Sequence, residues 1–285
     1  MIFPSLRIIQ SLHIKPRKSL GQNFLIQEQV ARKIVASCNL SCTDTVIEIG
    51  AGCGALTCLL AEIAGNVIAI ELDKKLAGFL RDQLPAHSKV TVVNADVLSL
   101  DFSSLLNDQG KAVLVGNIPY PITTPLFIKL LEEFYCIKYA VFMVQKEIRN
   151  RLTAEPGEDC YGLLSIYARA YLKVSFLFDV SAANFFPRPG VDSTVILIEP
   201  VPERTWRDPA EAFFREIATA ALSHRRKTIF NCLKRYASLW NLAEGVLKTA
   251  LLREGIDPAR RGETFSVQEF YQLASIMFNL RQYPH

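Results

Sequence analysis

Thr45-Val46-Ile47-Glu48-Ile49-Gly50-Ala51-Gly52-Cys53-Gly54 is a β-branched run that ends in three alternating glycines. A helical pattern through Leu56, Leu59, Leu60 and Ile63 follows. Strand, glycine loop and helix in that order form the opening unit of a nucleotide-binding α/β fold. The glycines let the backbone approach a ligand where a Cβ would clash. Downstream, Val67-Ile68-Ala69-Ile70 reads as the next strand and ends in Glu71, 21 residues after Gly50. A carboxylate at that spacing can accept both hydroxyl hydrogens of a ribose. The plainer alternative is an acid at the start of the following helix.

That helix runs from Lys74 to Leu84, and a third strand, Val90 to Val93, leads to Asn94-Ala95-Asp96. Asp96 reads either as an acceptor for the exocyclic amine of an adenine or as a loop cap. A fourth apolar run, Ala112 to Val115, reads as a buried parallel strand that stops at Gly116, with Asn117-Ile118-Pro119-Tyr120 after it. An amide, a backbone carbonyl and an aromatic ring at a strand end can grip a planar amine. Pro125 to Leu131 reads as a helix, Tyr139 to Val144 as a strand, and Gln145-Lys146-Glu147-Ile148 as another helix start. Two late strands, Phe176–Val180 and Ser193–Ile198, flank Asn184-Phe185-Phe186-Pro187-Arg188-Pro189-Gly190-Val191-Asp192. One of the paired phenylalanines is expected to be at least half-exposed and able to stack on a base; the alternative is that both plug the loop into the core.

Upstream, Gln27 to Cys38 fits an amphipathic helix through Val30, Ile34 and Val35. Before it, residues 1–27 hold Arg7, Lys15, Arg17 and Lys18 and no acid. Such a start fits a transit peptide or, as preferred here, an arm that contacts nucleic acid. Beyond Pro200, Pro202 and Pro209 the chain reads as helical: Ala210–Leu222, Arg226–Tyr236, Leu242–Glu254 and Val267–Leu280. The expected division is therefore a first domain over 1–200 and a second over 201–285. Residues 1–200 carry 19 basic and 19 acidic side chains, whereas 201–285 carry 13 and 9. Positive charge gathers at both ends, a footprint for a polyanion as well as for ordinary solvated surface. His224-Arg225-Arg226-Lys227 is placed at a helix start, where cations oppose the helix dipole and suggest an external anion.

The 285 residues are half hydrophobic, enough for one large and one smaller core. No apolar run is long enough to span a bilayer and no secretory h-region is present, so the expectation is a cytoplasmic chain without membrane contact. The seven cysteines match neither a zinc site nor a disulfide framework, and no metal is expected.

The loop lacks Gly-Lys-Ser/Thr, which excludes a P-loop, and its Gly-x-Gly-x-Gly spacing differs from the dinucleotide fingerprint. With Glu71, Asp96 and Asn117 at successive strand ends, it fits an adenosine cofactor without phosphates, S-adenosylmethionine being the obvious one. At this point the chain resembles the small-subunit rRNA adenine N6-dimethyltransferases. The resemblance rests on Lys18-Ser19-Leu20-Gly21-Gln22-Asn23-Phe24-Leu25, Glu48-Ile49-Gly50-Ala51-Gly52-Cys53-Gly54, Glu71-Leu72-Asp73, Asn117-Ile118-Pro119-Tyr120, Gln145-Lys146-Glu147 and Phe186-Pro187-Arg188-Pro189-Gly190-Val191-Asp192-Ser193. These stretches run in the family's order from residue 18 to about 198, and the helical tail resembles the family less distinctively. Ala51, where the family usually has Pro, is a tolerable departure.

The resemblance implies an α/β fold: a Rossmann-like seven-stranded methyltransferase domain followed by a small all-helical domain. It implies that Asn23 and Leu25 close over S-adenosylmethionine alongside Gly50, Gly52, Glu71, Asp96 and Asn117. It also implies dimethylation of two adjacent adenosines in the 3′-terminal hairpin of 16S-type rRNA, within an immature small subunit; the oligomeric state is open, with a monomer as the default expectation. On the residues, the Asn117 side-chain oxygen and the Ile118 or Pro119 carbonyl would each accept one N6 hydrogen. Tyr120 and one of Phe185 or Phe186 would sandwich the ring. Arg17, Lys18, Arg188, Arg225, Arg226 and Lys227 are the candidate RNA contacts. Two alternatives share the fold: a large-subunit rRNA adenine methyltransferase of the antibiotic-resistance type, and a non-catalytic assembly or transcription factor. A DNA adenine or protein-glutamine methyltransferase would need a target-recognition region, for which the short tail leaves little room.

Overall fold

The computed structural model describes residues 2–11, 16–17, 20–85, 87–106, 110–201, 209–237, 239–240 and 244–282. Lys18 and most of the proline-punctuated linker lie outside the described residues. In chain order, α1 (Leu6–Ser11), β1 (Phe24–Leu25), α2 (Glu28–Ser37), β2 (Thr45–Ile49), α3 (Thr57–Ile63), β3 (Asn66–Glu71), α4 (Lys74–Gln83) and β4 (Val90–Asn94) come first. They are followed by α5 (Phe102–Leu105), β5 (Ala112–Asn117), α6 (Thr123–Glu133), β6 (Ile137–Gln145), α7 (Lys146–Thr153), α8 (Leu163–Tyr171), β7 (Leu172–Val180), β8 (Phe185–Phe186) and β9 (Ser193–Pro200). The tail holds α9 (Pro209–Leu222), α10 (Ile229–Ala237), α11 (Glu244–Arg253) and α12 (Val267–Gln282).

Seven strands form one sheet in the order β4-β3-β2-β5-β6-β9-β7. Strands β2 to β6 are mutually parallel, and β9 runs antiparallel to β6. This is the expected seven-stranded Rossmann-like sheet. The chain winds outward from β2 to β4, then returns to the other side of β2 with β5. That reversal puts a crevice beyond the carboxyl ends of β2 and β5. Burial on both faces explains why these strands read as continuous apolar runs. On one face Val46, Val67, Val113, Val115 and Met143 pack with Ile34 and Val35 of α2 and Leu59 and Leu60 of α3. On the other, Phe142 of β6 meets Phe127 of α6 edge-on, with ring centroids 6.4 Å apart.

The crevice floor depends on one glycine. Gly116 pairs with Ile49, and a Cβ there would sit 2.6 Å from the Ile49 carbonyl oxygen. Only glycine lets β5 lie that close to β2 with Asn117 at its tip. The strand therefore continues through Gly116 to Asn117 rather than stopping at the glycine.

By their contacts the described residues group into two compact units, 1–149 with 174–200, and 150–173 with 201–285. In the second unit Trp240, Phe214, Phe265, Phe270, Leu251 and Met277 form a buried core. The Tyr171 and Tyr271 hydroxyls both donate to Glu211 Oε2, at 2.8 and 2.7 Å. Helix α8, which the sequence reading left unassigned, belongs here. Helix α10 starts at Ile229, so His224-Arg225-Arg226-Lys227 is the turn before the helix and not its first turn. The amphipathic pattern explains this later start: the buried positions Ile229, Cys232, Leu233 and Ala237 begin only at Ile229.

Candidate active site

The crevice holds a cleft of about 230 Å³. It is lined by the ends of β2, β3 and β5, the loop after β4, and residues 20–25, which cross it as a strap. All seven residues expected to hold the cofactor meet there: Asn23, Leu25, Gly50, Gly52, Glu71, Asp96 and Asn117. Asn117, Pro119, Tyr120 and Phe185 line it as well.

The glycine loop turns back on β3. Gly50 and Ala51 both donate from their backbone N–H groups to the Ile70 carbonyl, at 2.9 and 3.1 Å. Gly52 adopts φ +57°, a conformation costly for other residues, and its N–H donates to Glu71 Oε2 at 2.8 Å. Glu71 Oε1 accepts from the Asp73 N–H at 2.8 Å. Two backbone donors thus fix the Glu71 carboxylate, and each oxygen keeps lone-pair capacity for a hydroxyl. Burial pushes this carboxyl up, while the bonds from Asp73 and Gly52 pull it back.

Asp96 is a loop cap placed at the cleft wall. Its Oδ1 accepts from Leu98 N–H at 2.9 Å and so caps the short turn over 97–99, while the residue also lines the cleft. Asn117 is oriented by the strap: its Nδ2 donates to the Asn23 carbonyl at 3.0 Å. With the amide nitrogen so engaged, Oδ1 is the end left to accept. The Pro119 carbonyl already accepts from Ile122 N–H at 3.2 Å and from the Thr123 hydroxyl at 3.3 Å. Of the two backbone acceptors that the sequence left open, the Ile118 carbonyl is therefore the better placed. Tyr120 is 50% exposed at the mouth.

The phenylalanine pair is split by the strand it forms. β8 pairs antiparallel with β1, Phe24 opposite Phe186 and Leu25 opposite Phe185. Neighbours in a strand point to opposite sides. Phe185 is buried and lines the cleft, whereas the half-buried Phe186 packs against Ile9, Phe24, Cys53 and Leu76. Among the basic candidates, Arg188, Arg225, Arg226 and Lys227 are exposed. Arg225 is tied down in its own unit, donating to the Asp159 carbonyl at 2.6 Å and pairing with Glu263 at 3.0 Å. Arg17 pairs with Asp73 at 3.4 Å.

One acidic lining residue had no role in the sequence reading. Glu48, 1% exposed, lines the cleft, and its Oε2 has no hydrogen-bond partner among the described residues. The signal was present: an acid inside an apolar parallel strand, next to the glycine loop, breaks the pattern of a buried strand. Burial pushes the Glu48 carboxyl up to about 8, with the neighbouring Glu71 adding to the push. The folded chain thus holds a proton that the unfolded chain releases in the ordinary carboxyl range. Stability falls as pH rises from that range to about 8. Glu48→Gln should therefore raise the Tm at pH 8 by about 5 °C, with little change near pH 4. Thermal scans at the two pH values check this, and equal shifts at both would place the effect elsewhere. Cys53, also in the loop, is pushed up to about 12 by burial and is no nucleophile at neutral pH.

These features fit S-adenosylmethionine. The unpartnered Glu48 oxygen can take a hydrogen bond from the ammonium of the methionine end, Glu71 suits a ribose and Asp96 an adenine amine. A phosphate would face two buried acids instead.

The family described as ribosomal RNA adenine dimethylase matches residues 13–278. The chain is 38% identical over 273 residues to the ribosomal RNA small subunit methyltransferase A of Clostridium botulinum (strain Langeland), covering 96% of this chain and 98% of that protein. It is 40% identical over 274 residues to the protein of the same name from Bacillus cereus (strain B4264), covering 95% and 94%. Among solved structures, a dimethyladenosine transferase from Plasmodium falciparum aligns with TM-score 0.72 at 24% identity, covering 91% of this chain and 98% of that one. The 23S rRNA methyltransferase ErmE aligns with TM-score 0.63 at 25% identity, covering 90% and 100%. The family match takes in both units and every strand end that lines the cleft, and on that footing the chain belongs to the S-adenosylmethionine-dependent ribosomal RNA adenine dimethylases.

Proposed function

We propose that this chain dimethylates N6 of two adjacent adenosines in the 3′-terminal hairpin of 16S-type rRNA, acting as a cytoplasmic monomer on an immature small ribosomal subunit. The chemistry rests on one observation above all: the strap fixes Asn117 so that its Oδ1 is the accepting end, at the tip of β5 beside the glycine loop.

Adenine N6 is a weak nucleophile because its lone pair is conjugated with the ring. Asn117 Oδ1 and the Ile118 carbonyl each accept one N6 hydrogen and favour the pyramidal nitrogen over the flat one. Tyr120 at the mouth and Phe185 inside the cleft stack on the ring and orient it. When bound, S-adenosylmethionine supplies a methyl group made electrophilic by its sulfonium. The chain's own contribution is thus positioning and aimed dipoles rather than proton abstraction. The N6 proton leaves to water through the open mouth. After the first transfer one hydrogen remains, and the pocket accommodates a methyl in one of the two acceptor directions.

The choice of RNA is supported by the relatives. Small-subunit methyltransferases are 38–40% identical over nearly the whole chain, whereas the 23S enzyme stands at 25%. Intact Glu71, Asp96, Asn117 and Tyr120 favour retained chemistry over a purely structural assembly role. Labelled methyl transfer to small subunits lacking adenine dimethylation, with large subunits alongside, tests the proposal. Incorporation should approach four methyls per small subunit, with none in large subunits. Label in large subunits alone would sink it in favour of the resistance-type reading, and binding of small subunits without label would point to a non-catalytic factor.

A further inference from the structure

Arg17 looks like an RNA contact in the sequence, yet the structure pairs it with a buried acid beside the strap. Its backbone is locked to the residues that line the cleft: Arg17 N–H donates to Gln22 Oε1 at 2.8 Å, and Leu20 N–H donates to the Arg17 carbonyl at 3.0 Å. Its guanidinium Nε lies 3.4 Å from Asp73 Oδ2. The Arg17 side chain is 57% exposed, but that of Asp73 is only 5% exposed.

Asp73 is no ordinary surface acid. Its Oδ1 caps α4, accepting from Lys75 N–H at 2.8 Å and Leu76 N–H at 3.4 Å. Its own N–H donates to Glu71 Oε1. The carboxylate is therefore already immobile, so pairing with Arg17 costs little side-chain freedom on the acid's side, unlike a typical surface pair. The downstream end of the strap is held independently, by the β1–β8 pairing and by Asn117 on the Asn23 carbonyl. The upstream end is held by Arg17, and it is held on the turn that carries Glu71.

We propose that Arg17 is a positioning residue for the cofactor and not an RNA contact: by pairing with Asp73 it latches the strap to the turn that presents Glu71. Closure of residues 20–25 and capture of the ribose are thereby coupled, and each favours the other. This rests on the reading of the cleft as the S-adenosylmethionine site.

The test uses the full chain with Arg17→Ala, Arg17→Lys, Asp73→Asn and the Arg17→Ala/Asp73→Asn double variant. Asn at position 73 keeps an oxygen to cap α4 and loses only the charge. Three quantities are read: calorimetric affinity for S-adenosylhomocysteine without RNA, hydrogen exchange at amides 20–25, and the salt dependence of binding to the rRNA hairpin. Arg17→Ala and Asp73→Asn should each weaken S-adenosylhomocysteine about five-fold, the double variant no more than either, and Arg17→Lys should recover most of the loss. Exchange at 20–25 should accelerate in step, and the salt slope should stay at its wild-type value. S-adenosylhomocysteine affinity within two-fold of wild type in Arg17→Ala would overturn the latch. If the salt slope then also fell by about one, Arg17 would be an RNA contact after all. Additive losses in the double variant would show two independent effects and overturn the coupling. A wild-type chain that bound no S-adenosylhomocysteine would overturn the reading of the cleft itself, and the latch with it.

Discussion

Replacing Asn117 with alanine should lower kcat by about 10²–10³ while the affinity for S-adenosylmethionine stays within a few-fold of wild type. The side chain has two ends with separate duties. Its Nδ2 ties the strap through the Asn23 carbonyl. In the proposed mechanism its Oδ1 accepts a hydrogen from the target amine. The first duty is shared with the β1–β8 pairing, so its loss costs little. The second is not shared by any other side chain of β5, and a lost transition-state acceptor costs about 3–4 kcal/mol of barrier. Single-turnover rates at saturating cofactor isolate this step. Asn117→Asp adds the control: it keeps an acceptor but loses the donor to Asn23. Unchanged turnover in Asn117→Ala would remove Asn117 from the chemistry.

Replacing Glu71 with alanine should give the opposite signature, a cofactor affinity weakened by about 10²–10⁴-fold with the methyl-transfer step at saturation much less affected. Charge-assisted hydrogen bonds to two ribose hydroxyls are worth about 1.5–3 kcal/mol each, and the variant loses both. It also strands the Gly52 and Asp73 N–H groups, which now donate to Glu71, and so loosens the glycine loop. Because burial pushes the Glu71 carboxyl up, its charge is lost on acidification sooner than for an ordinary glutamate. Wild-type affinity should accordingly begin to decline on the acid side at a higher pH than an exposed carboxylate would dictate. Titration calorimetry with S-adenosylhomocysteine, which needs no RNA, measures both. An affinity within a few-fold of wild type in Glu71→Ala would assign the ribose to another group.

Most of the cleft lining was legible because it is written locally. Glu71, Asp96 and Asn117 each stand within three residues of the end of an apolar run, and a parallel sheet brings successive strand ends together whatever lies between them. The sheet itself followed from the same runs. What escaped the sequence depended on distant partners or on short elements. The two-residue strands Phe24–Leu25 and Phe185–Phe186 carry no periodicity of their own, so nothing local told which phenylalanine faces the cleft. Helix α8 is buried on most sides, through Leu164, Ile166, Tyr167 and Ala170, and so lacks the polar face that marks a surface helix. Arg225 reads like its neighbours Arg226 and Lys227 until its contacts with Asp159 and Glu263 are seen. Glu48 was visible but was counted as part of a strand rather than as an exception to it.

The pairing of β1 with β8 also sets the order in which the protein can become active. Phe24 meets Phe186 across some 160 residues of intervening chain. During synthesis the strap leaves the ribosome first, yet its partner strand emerges about 8–30 s later at ordinary elongation rates. The central strands have their neighbours in hand well before then. The nascent chain therefore completes its sheet from β2 to β6 while the cleft still stands open, and the site closes as a late, long-range event. A chain interrupted before Phe185 would possess the glycine loop, Glu71 and Asn117 but no ribbon to seat Leu25, so an incomplete translation product is built without a finished binding site.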